Sequence, residues 1–303
     1  QMPVEELRIH SADDFSLTAL SALKATTTVS VCLPARNEAD TIGAIVDSIR
    51  THFATHTHGD NNLVDEIIVM DDRSTDTTAE VATAAGATVI SVADVLPGVG
   101  RGSGKGTVLW KSVAASTGDI IVWVDADLTS FTPSYILGLL GPMLADPEVA
   151  MVKGFYERPE QGGAAGGRTT ELMARPLLST FFAELTVIQQ PLGGEYAVRR
   201  EFLEKVPFCQ GYGVETGLLI DIARLVGVNR IAQVDLGVRS HRTRPLKALS
   251  AQSMEVLHAT LHRLGVEWRP EWSSVLQRPG SAPTEVQVAE HPPLNTVPDC
   301  CFT

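Results

Sequence analysis

Apolar residues in this chain gather into short, nearly unbroken runs separated by stretches with helical spacing. Residues 28–35 (TVSVCLPA), 65–70 (DEIIVM), 87–92 (ATVISV) and 120–124 (IIVWV) predict strands, the first of them buried and the last, rich in β-branched side chains, buried on both faces. Pro34 closes the first, because proline cannot donate to a ladder. Between the first two runs, Ile42, Ile45, Val46 and Ile49 recur at helical intervals within 39–53. A second helix follows the cap-type residues Ser74, Thr75 and Asp76 and ends at Gly86, and a third reaches about Thr117. This alternation predicts an α/β fold with a mostly parallel sheet and helices on both faces.

The second half is less regular. It predicts a helix over 134–144, a strand over 149–156, a glycine-rich loop over 160–168 and a helix over 169–182. Residues 189–199 read as irregular, then extended; 213–226 as an apolar helix with Glu215 near its start; 230–238 as a strand. A helix over 245–264 carries Leu257, Leu261 and Leu264 on one face. Residues 1–27 read as a helical arm, 28–145 and 146–265 as two halves of one domain, and the proline-rich stretch 266–303 as an extended or disordered tail. There is no internal repeat.

Composition narrows the class. The 303 residues are 44% hydrophobic, enough for a sizeable core, and no apolar run is long enough to span a bilayer. Residues 1–15 lack the apolar centre of a secretory signal. Cys32, Cys209, Cys300 and Cys301 show no metal-knuckle spacing, so free thiols in the cytoplasm are expected. The net charge of −12 argues against nucleic acid as a partner. It leaves room for small anionic substrates in a locally basic pocket.

The candidate chemistry sits where strands end. Asp125 and Asp127 close the run at 120–124, and ligands of open α/β sheets collect at that end of the strands. Two carboxylates one residue apart suit a hard divalent cation carrying a diphosphate, or are simply loop aspartates, one of them a cap. Residues 98–106 (GVGRGSGKG) fail as a P-loop: Gly106 follows Lys105 where Ser or Thr is needed, and Val99 holds a required glycine position. What remains is a glycine turn with Arg101 and Lys105 before a helix, suited to a phosphate or nucleotide, or else merely solvated. Trp110, Trp123 and Phe131 read as core.

The strand ends LPARNE, MDDRSTD and VDAD and the GKG loop together resemble a GT-A-fold glycosyltransferase. The stretches AGGRTTELMARPLL, QPLGGEYAVRREFL, GYGVETGLLIDI and DLGVRSHRTRPL are similar to the actinobacterial glucosyl-3-phosphoglycerate synthase family, over roughly residues 28–265. The resemblance implies a nucleotide-sugar site made of Pro34, Ala35, Arg36, Asn37, Glu38, Asp72, Lys105, Asp125 and Ala126. Tyr212, Gly213, Val214 and Glu215 would meet the transferred sugar, and Arg239 and Arg244 the diphosphate. It implies Mg²⁺ or Mn²⁺ on Asp127 and His241, and an acceptor site at Gly167, Arg168, Thr169, Thr170 and Thr243. Glu215, Asp127 and Lys105 would be the catalytic residues. Two positions depart from the family pattern: Arg36 stands where a small or apolar residue is usual, and Asp72-Arg73 replaces a Ser-Gly pair.

The residues themselves admit plainer readings. His241 could be an exposed loop histidine, although Arg239, Arg242 and Arg244 around it would favour the neutral imidazole a metal needs. Glu215 could simply complement a helix dipole, and Arg168 could be a solvated cation. The resemblance implies a retaining, metal-dependent homodimer moving glucose from UDP-glucose to the 2-hydroxyl of D-3-phosphoglycerate. The alternatives are mannosyl transfer from GDP-mannose and, in another reaction class, a sugar-1-phosphate nucleotidyltransferase.

Overall fold

The computed structural model describes residues 8–54, 62–99, 102–157, 167–238, 246–267, 269, 271–298 and 301. Its first nine strands are β1 (Ile9–Ser11), β2 (Val29–Ala35), β3 (Glu66–Asp71), β4 (Thr88–Ser91), β5 (Ile120–Trp123), β6 (Met151–Glu157), β7 (Tyr196–Arg199), β8 (Phe208–Cys209) and β9 (Ile231–Val238). All but β8 form one eight-stranded sheet in the order β1-β9-β6-β7-β5-β2-β3-β4. Strands β4, β3, β2 and β5 are parallel, as the alternation predicts. β7 then runs antiparallel between β5 and β6, joining the first run of strands to the second.

The chain winds outward from β2 through β3 to β4, then crosses back to place β5 on the other side of β2. This reversal opens a crevice between the carboxyl ends of β2 and β5, the usual ligand position in such sheets. Strands this deep in the sheet must be apolar on both faces. Val29, Val31 and Leu33 of β2 join one core, and Cys32 joins the other.

Helices α1 (Leu17–Lys24), α2 (Ile42–Ile49), α3 (Thr78–Ala85) and α5 (Ser134–Ala145) cover the first face. The second is covered by α4 (Lys105–Ala115), α6 (Arg175–Phe181), α8 (Val214–Val226) and α9 (Leu246–Arg263), while α7 (Arg200–Leu203) follows β7. Trp110 and Trp123 are buried in this second core, as read from the sequence, and Phe131 packs on the first. Gly86 ends α3 at φ +104°, the left-handed cap that only glycine adopts without strain.

Two segments differ from the sequence reading. The arm at 1–27 is more than a helix: β1 precedes α1 and pairs in parallel with β9, making an edge of the sheet. Three residues are too few for periodicity to show. The stretch after α9 is docked on the rest of the chain. Val275–Leu276 (β10) pairs with Thr284–Glu285 (β11), and Glu290–His291 (β12) pairs antiparallel with β8. His291 is buried, stacked on Trp110 at 4.5 Å, with Nε2 2.9 Å from the Thr107 hydroxyl. The indole of Trp110 donates to the Pro292 carbonyl. The tail has few apolar residues of its own because it borrows a core that other elements supply.

Candidate active site

At the carboxyl ends of β2, β3 and β5 lies a cavity of about 610 Å³. Pro34, Ala35 and Arg36 line it from β2, Asp72 and Arg73 from β3, and Asp125, Ala126 and Asp127 from β5. Ser103, Gly104 and Lys105 come from the glycine loop, and Glu38, Val108 and Tyr212 complete the wall. Most of the nucleotide-sugar residues expected from the sequence therefore meet in one place, although they come from separate parts of the chain.

Lys105 is the hinge of the site's electrostatics. Its Nζ donates to Asp125 Oδ1 at 2.8 Å and lies 2.8 Å from Glu215 Oε1. Burial alone would push the ammonium down, but Asp125 and Glu215 hold it well above the usual lysine range, so it stays charged. Glu215, only 4% exposed, reaches Lys105 from the first turn of α8 and does not itself line the cavity. Beneath them, β6 and β7 set Lys153 beside Tyr196 in register. The Lys153 ammonium donates to the Gly193 carbonyl at 2.6 Å and sits 4.4 Å above the Tyr196 ring. Burial pushes Lys153 down to about 8, against the pull of Glu215 and Glu195.

The glycine loop is shaped by backbone contact. Gly104 has φ +94°, and a Cβ on Gly106 would overlap the Cys209 carbonyl. The N–H groups of Gly106 and Thr107 donate to the carbonyls of Gly211 (3.2 Å) and Gln210 (2.9 Å). Those two amides of the helix start are thus already engaged. The loop lines the cavity through Ser103, Gly104 and Lys105.

Several expected residues stand elsewhere. Asn37 does not line the cavity; at φ +58° it turns its carbonyl oxygen to the Thr75 N–H (2.7 Å) and holds the 74–75 turn. Val214 is fully buried in the second core, and Gly213 packs against α9, where a Cβ would lie 2.8 Å from the Ala259 Cβ. Neither faces the cavity, because α8 must bury that side of its first turn. Gly167, Arg168, Thr169 and Thr170 do not line this cavity either. They open the helical stretch leading to α6, which packs on α9; Gly167 takes φ +84° and its carbonyl accepts the Glu171 N–H. Arg101, Arg239, His241, Thr243 and Arg244 lie outside the described residues.

The two departures from the family pattern meet each other. Asp72 accepts from the Arg73 guanidinium at 2.9 Å, and Arg36 Nη1 lies 3.9 Å away on the same carboxylate. Ser103, Gly104 and Val108 were not singled out in the sequence, although the GSGKG stretch pointed to the loop, and Arg73 was noted only as a departure from the family pattern. Glu255 of α9, described below, had no sequence signal at all.

A divalent cation fits the donor set. The cavity wall carries hard carboxylate oxygens, of which Asp125 is committed to Lys105 and Asp127 belongs to the same strand end. No group of three or more His, Cys, Asp or Glu residues is assembled among the described residues. Mg²⁺ is usually held by one or two carboxylates with substrate phosphates completing its shell.

Comparison with known proteins agrees with this geometry. The family model described as glycosyl transferase family 2 matches residues 30–206. The chain is 46% identical over 292 residues to glucosyl-3-phosphoglycerate synthase of Mycolicibacterium smegmatis, covering 93% of this chain and 94% of that protein. It is 42% identical to the enzyme of that name from Petrotoga mobilis, covering 89% and 87%. A crystal structure of the Mycobacterium tuberculosis glucosyl-3-phosphoglycerate synthase in complex with Mn²⁺, UDP-glucose and phosphoglyceric acid superposes with a TM-score of 0.86. That match is at 43% identity and covers 95% of this chain and 98% of that one. The expected GT-A fold therefore stands. The chain belongs to glycosyl transferase family 2 and, within it, to the glucosyl-3-phosphoglycerate synthases.

Proposed function

We propose that this chain transfers glucose from UDP-glucose to the 2-hydroxyl of D-3-phosphoglycerate, releasing UDP and a proton. The observation that carries the reading is the strand end at Asp125–Asp127 opening into the cavity beside Lys105 and Tyr212. The relatives it resembles across most of its length are named glucosyl-3-phosphoglycerate synthases, and the Mycobacterium tuberculosis enzyme is solved with Mn²⁺, UDP-glucose and phosphoglyceric acid bound.

Asp127, with His241 from outside the described residues, would hold Mg²⁺ or Mn²⁺. When bound, such an ion neutralises the charge that develops on the departing diphosphate. Pro34, Ala35, Arg36, Glu38 and Asp72 would receive the nucleoside. Glu215, fixed by Lys105, would accept hydrogen bonds from glucose hydroxyls and orient the sugar. Arg168 would grip the acceptor's carboxylate or phosphate bidentately.

Transfer with retention fits the electrostatics. Asp125 and Glu215 are both tied to the Lys105 ammonium, which blunts either as a covalent nucleophile. The acceptor hydroxyl would then approach the face the diphosphate leaves, and positioning and preorganised charge would supply the rate enhancement. A cytoplasmic homodimer belongs to the same reading and rests on the family resemblance; sedimentation velocity tests the dimer. No helix among the described residues is long and apolar enough to cross a membrane.

The test is UDP release on mixing the protein, Mn²⁺ and 3-phosphoglycerate with UDP-glucose. GDP-glucose, ADP-glucose and GDP-mannose are run in parallel. Acceptor-dependent release from UDP-glucose is expected. Release from GDP-mannose alone would move the chain to mannosyl transfer, and silence in every well would overturn the reading.

A further inference from the structure

Tyr212 lines the donor cavity, yet its turn is fastened by a residue that does not. Glu255 of α9 is 8% exposed, and both its carboxylate oxygens accept backbone N–H groups: Oε2 from Tyr212 at 2.6 Å, Oε1 from Gln287 at 3.0 Å. Glycines flank Tyr212 because the turn lies directly on this side chain and its helix. A Cβ on Gly211 would sit 2.5 Å from Glu255 Oε2, and one on Gly213 would sit 2.8 Å from the Glu255 carbonyl. The same turn is tied on both sides. Gln210 donates to the Ala289 carbonyl at 3.0 Å, and the carbonyls of Gln210 and Gly211 accept the first amides of α4, where Lys105 stands.

We propose that Glu255 is a positioning residue for the donor site: its carboxylate clamps the Tyr212 turn to the C-terminal tail and so fixes one wall of the cavity. The inference rests on reading that cavity as the nucleotide-sugar site. A carboxylate is the side chain that suits the task, because each oxygen can accept one N–H. A carboxamide satisfies only one; its NH₂ then faces the other N–H, leaving a buried donor without a partner.

The experiment compares wild type with Glu255→Gln and Gln287→Pro, the latter removing the tail's N–H while leaving the Glu255 carboxylate in place. Three quantities are read: amide exchange of the peptide containing Tyr212, UDP affinity by calorimetry with Mn²⁺, and KM for each substrate. Both variants are expected to exchange Tyr212 faster and to bind UDP and UDP-glucose about tenfold more weakly, the size of one lost buried hydrogen bond. KM for 3-phosphoglycerate should stay within about twofold, which a general loss of structure would not allow. Unchanged exchange at Tyr212, or faster exchange with unchanged UDP affinity, overturns the proposal. If Glu255→Gln does not fold, Gln287→Pro decides alone. A wild-type chain that binds UDP but transfers nothing counts against the function and leaves the UDP affinity ratio to judge Glu255. A wild-type chain that does not bind UDP overturns both.

Discussion

Lys105 bridges Asp125 and Glu215, with its ammonium 2.8 Å from a carboxylate oxygen of each. Neither carboxylate can be understood without the lysine. In a buried ion pair the desolvation of the charges rivals their attraction, so the pair as a whole adds little stability, but removing one partner strands the other. Lys105→Met is therefore expected to destabilise the protein by about 3–5 kcal/mol in urea unfolding. Adding Glu215→Gln to that variant should recover part of the loss, because one stranded charge is gone. Two changes that merely add would show that the bridge is not energetically coupled.

Asp127 lines the cavity just past the end of β5, and in the proposed function it is the ligand offered to a divalent cation. Asp127→Ala is expected to lower glucosyl transfer by at least about 100-fold. Added Mn²⁺ should also cease to tighten UDP binding in that variant, which a calorimetric titration with and without metal would read. Metal-dependent transfer that survives the substitution would place the ion elsewhere.

Arg168 opens a helical stretch packed on α9, apart from the residues that line the donor cavity. The separation makes its effect selective. Arg168→Met should raise KM for 3-phosphoglycerate by about 10- to 100-fold, the worth of a charge-assisted bidentate contact, with UDP affinity unchanged. Steady-state kinetics varying one substrate at a time distinguish this from an equal loss on both substrates.

His291 makes the docked tail sensitive to acid. Burial, helped by the nearby Lys111 charge, pushes the imidazole from its ordinary 6.5 down to about 4. A base held below its unfolded pKa contributes fully above pH 6.5, and its contribution is lost as pH falls toward 4, where the unfolded chain binds the extra proton. The loss attributable to His291 is at most about 3 kcal/mol. His291→Phe keeps a ring against Trp110 and cannot titrate. Urea unfolding at pH 7, 5.5 and 4.5 should show the wild type losing more stability than the variant across that range. Parallel losses would show that His291 does not titrate as its burial requires.

Much of this molecule follows from local pattern. A strand buried on both faces must be apolar throughout, and β2, β3 and β5 announced themselves for that reason, whereas β4 is a half-exposed edge strand that its β-branched residues marked out. The short strand β1 and the docked β12 left no comparable trace, because a two- or three-residue ladder has too few side chains to show a period. Asp125 and Asp127 were visible because they end such a strand, and an α/β sheet gathers ligands there whatever the rest of the chain does.

What only the tertiary structure decided is which side chains meet. That Lys105 serves Glu215 as well as Asp125, that Val214 belongs to the core, and that Asn37 braces a turn depend on how α4, α8 and the 74–75 turn dock. Glu255 is the extreme case: an ordinary residue on a helix, given its task by a turn and a tail that come from elsewhere in the chain. Periodicity records which face of an element is buried. It carries no record of the partner on the other side, since that pairing is set by packing between segments far apart in sequence.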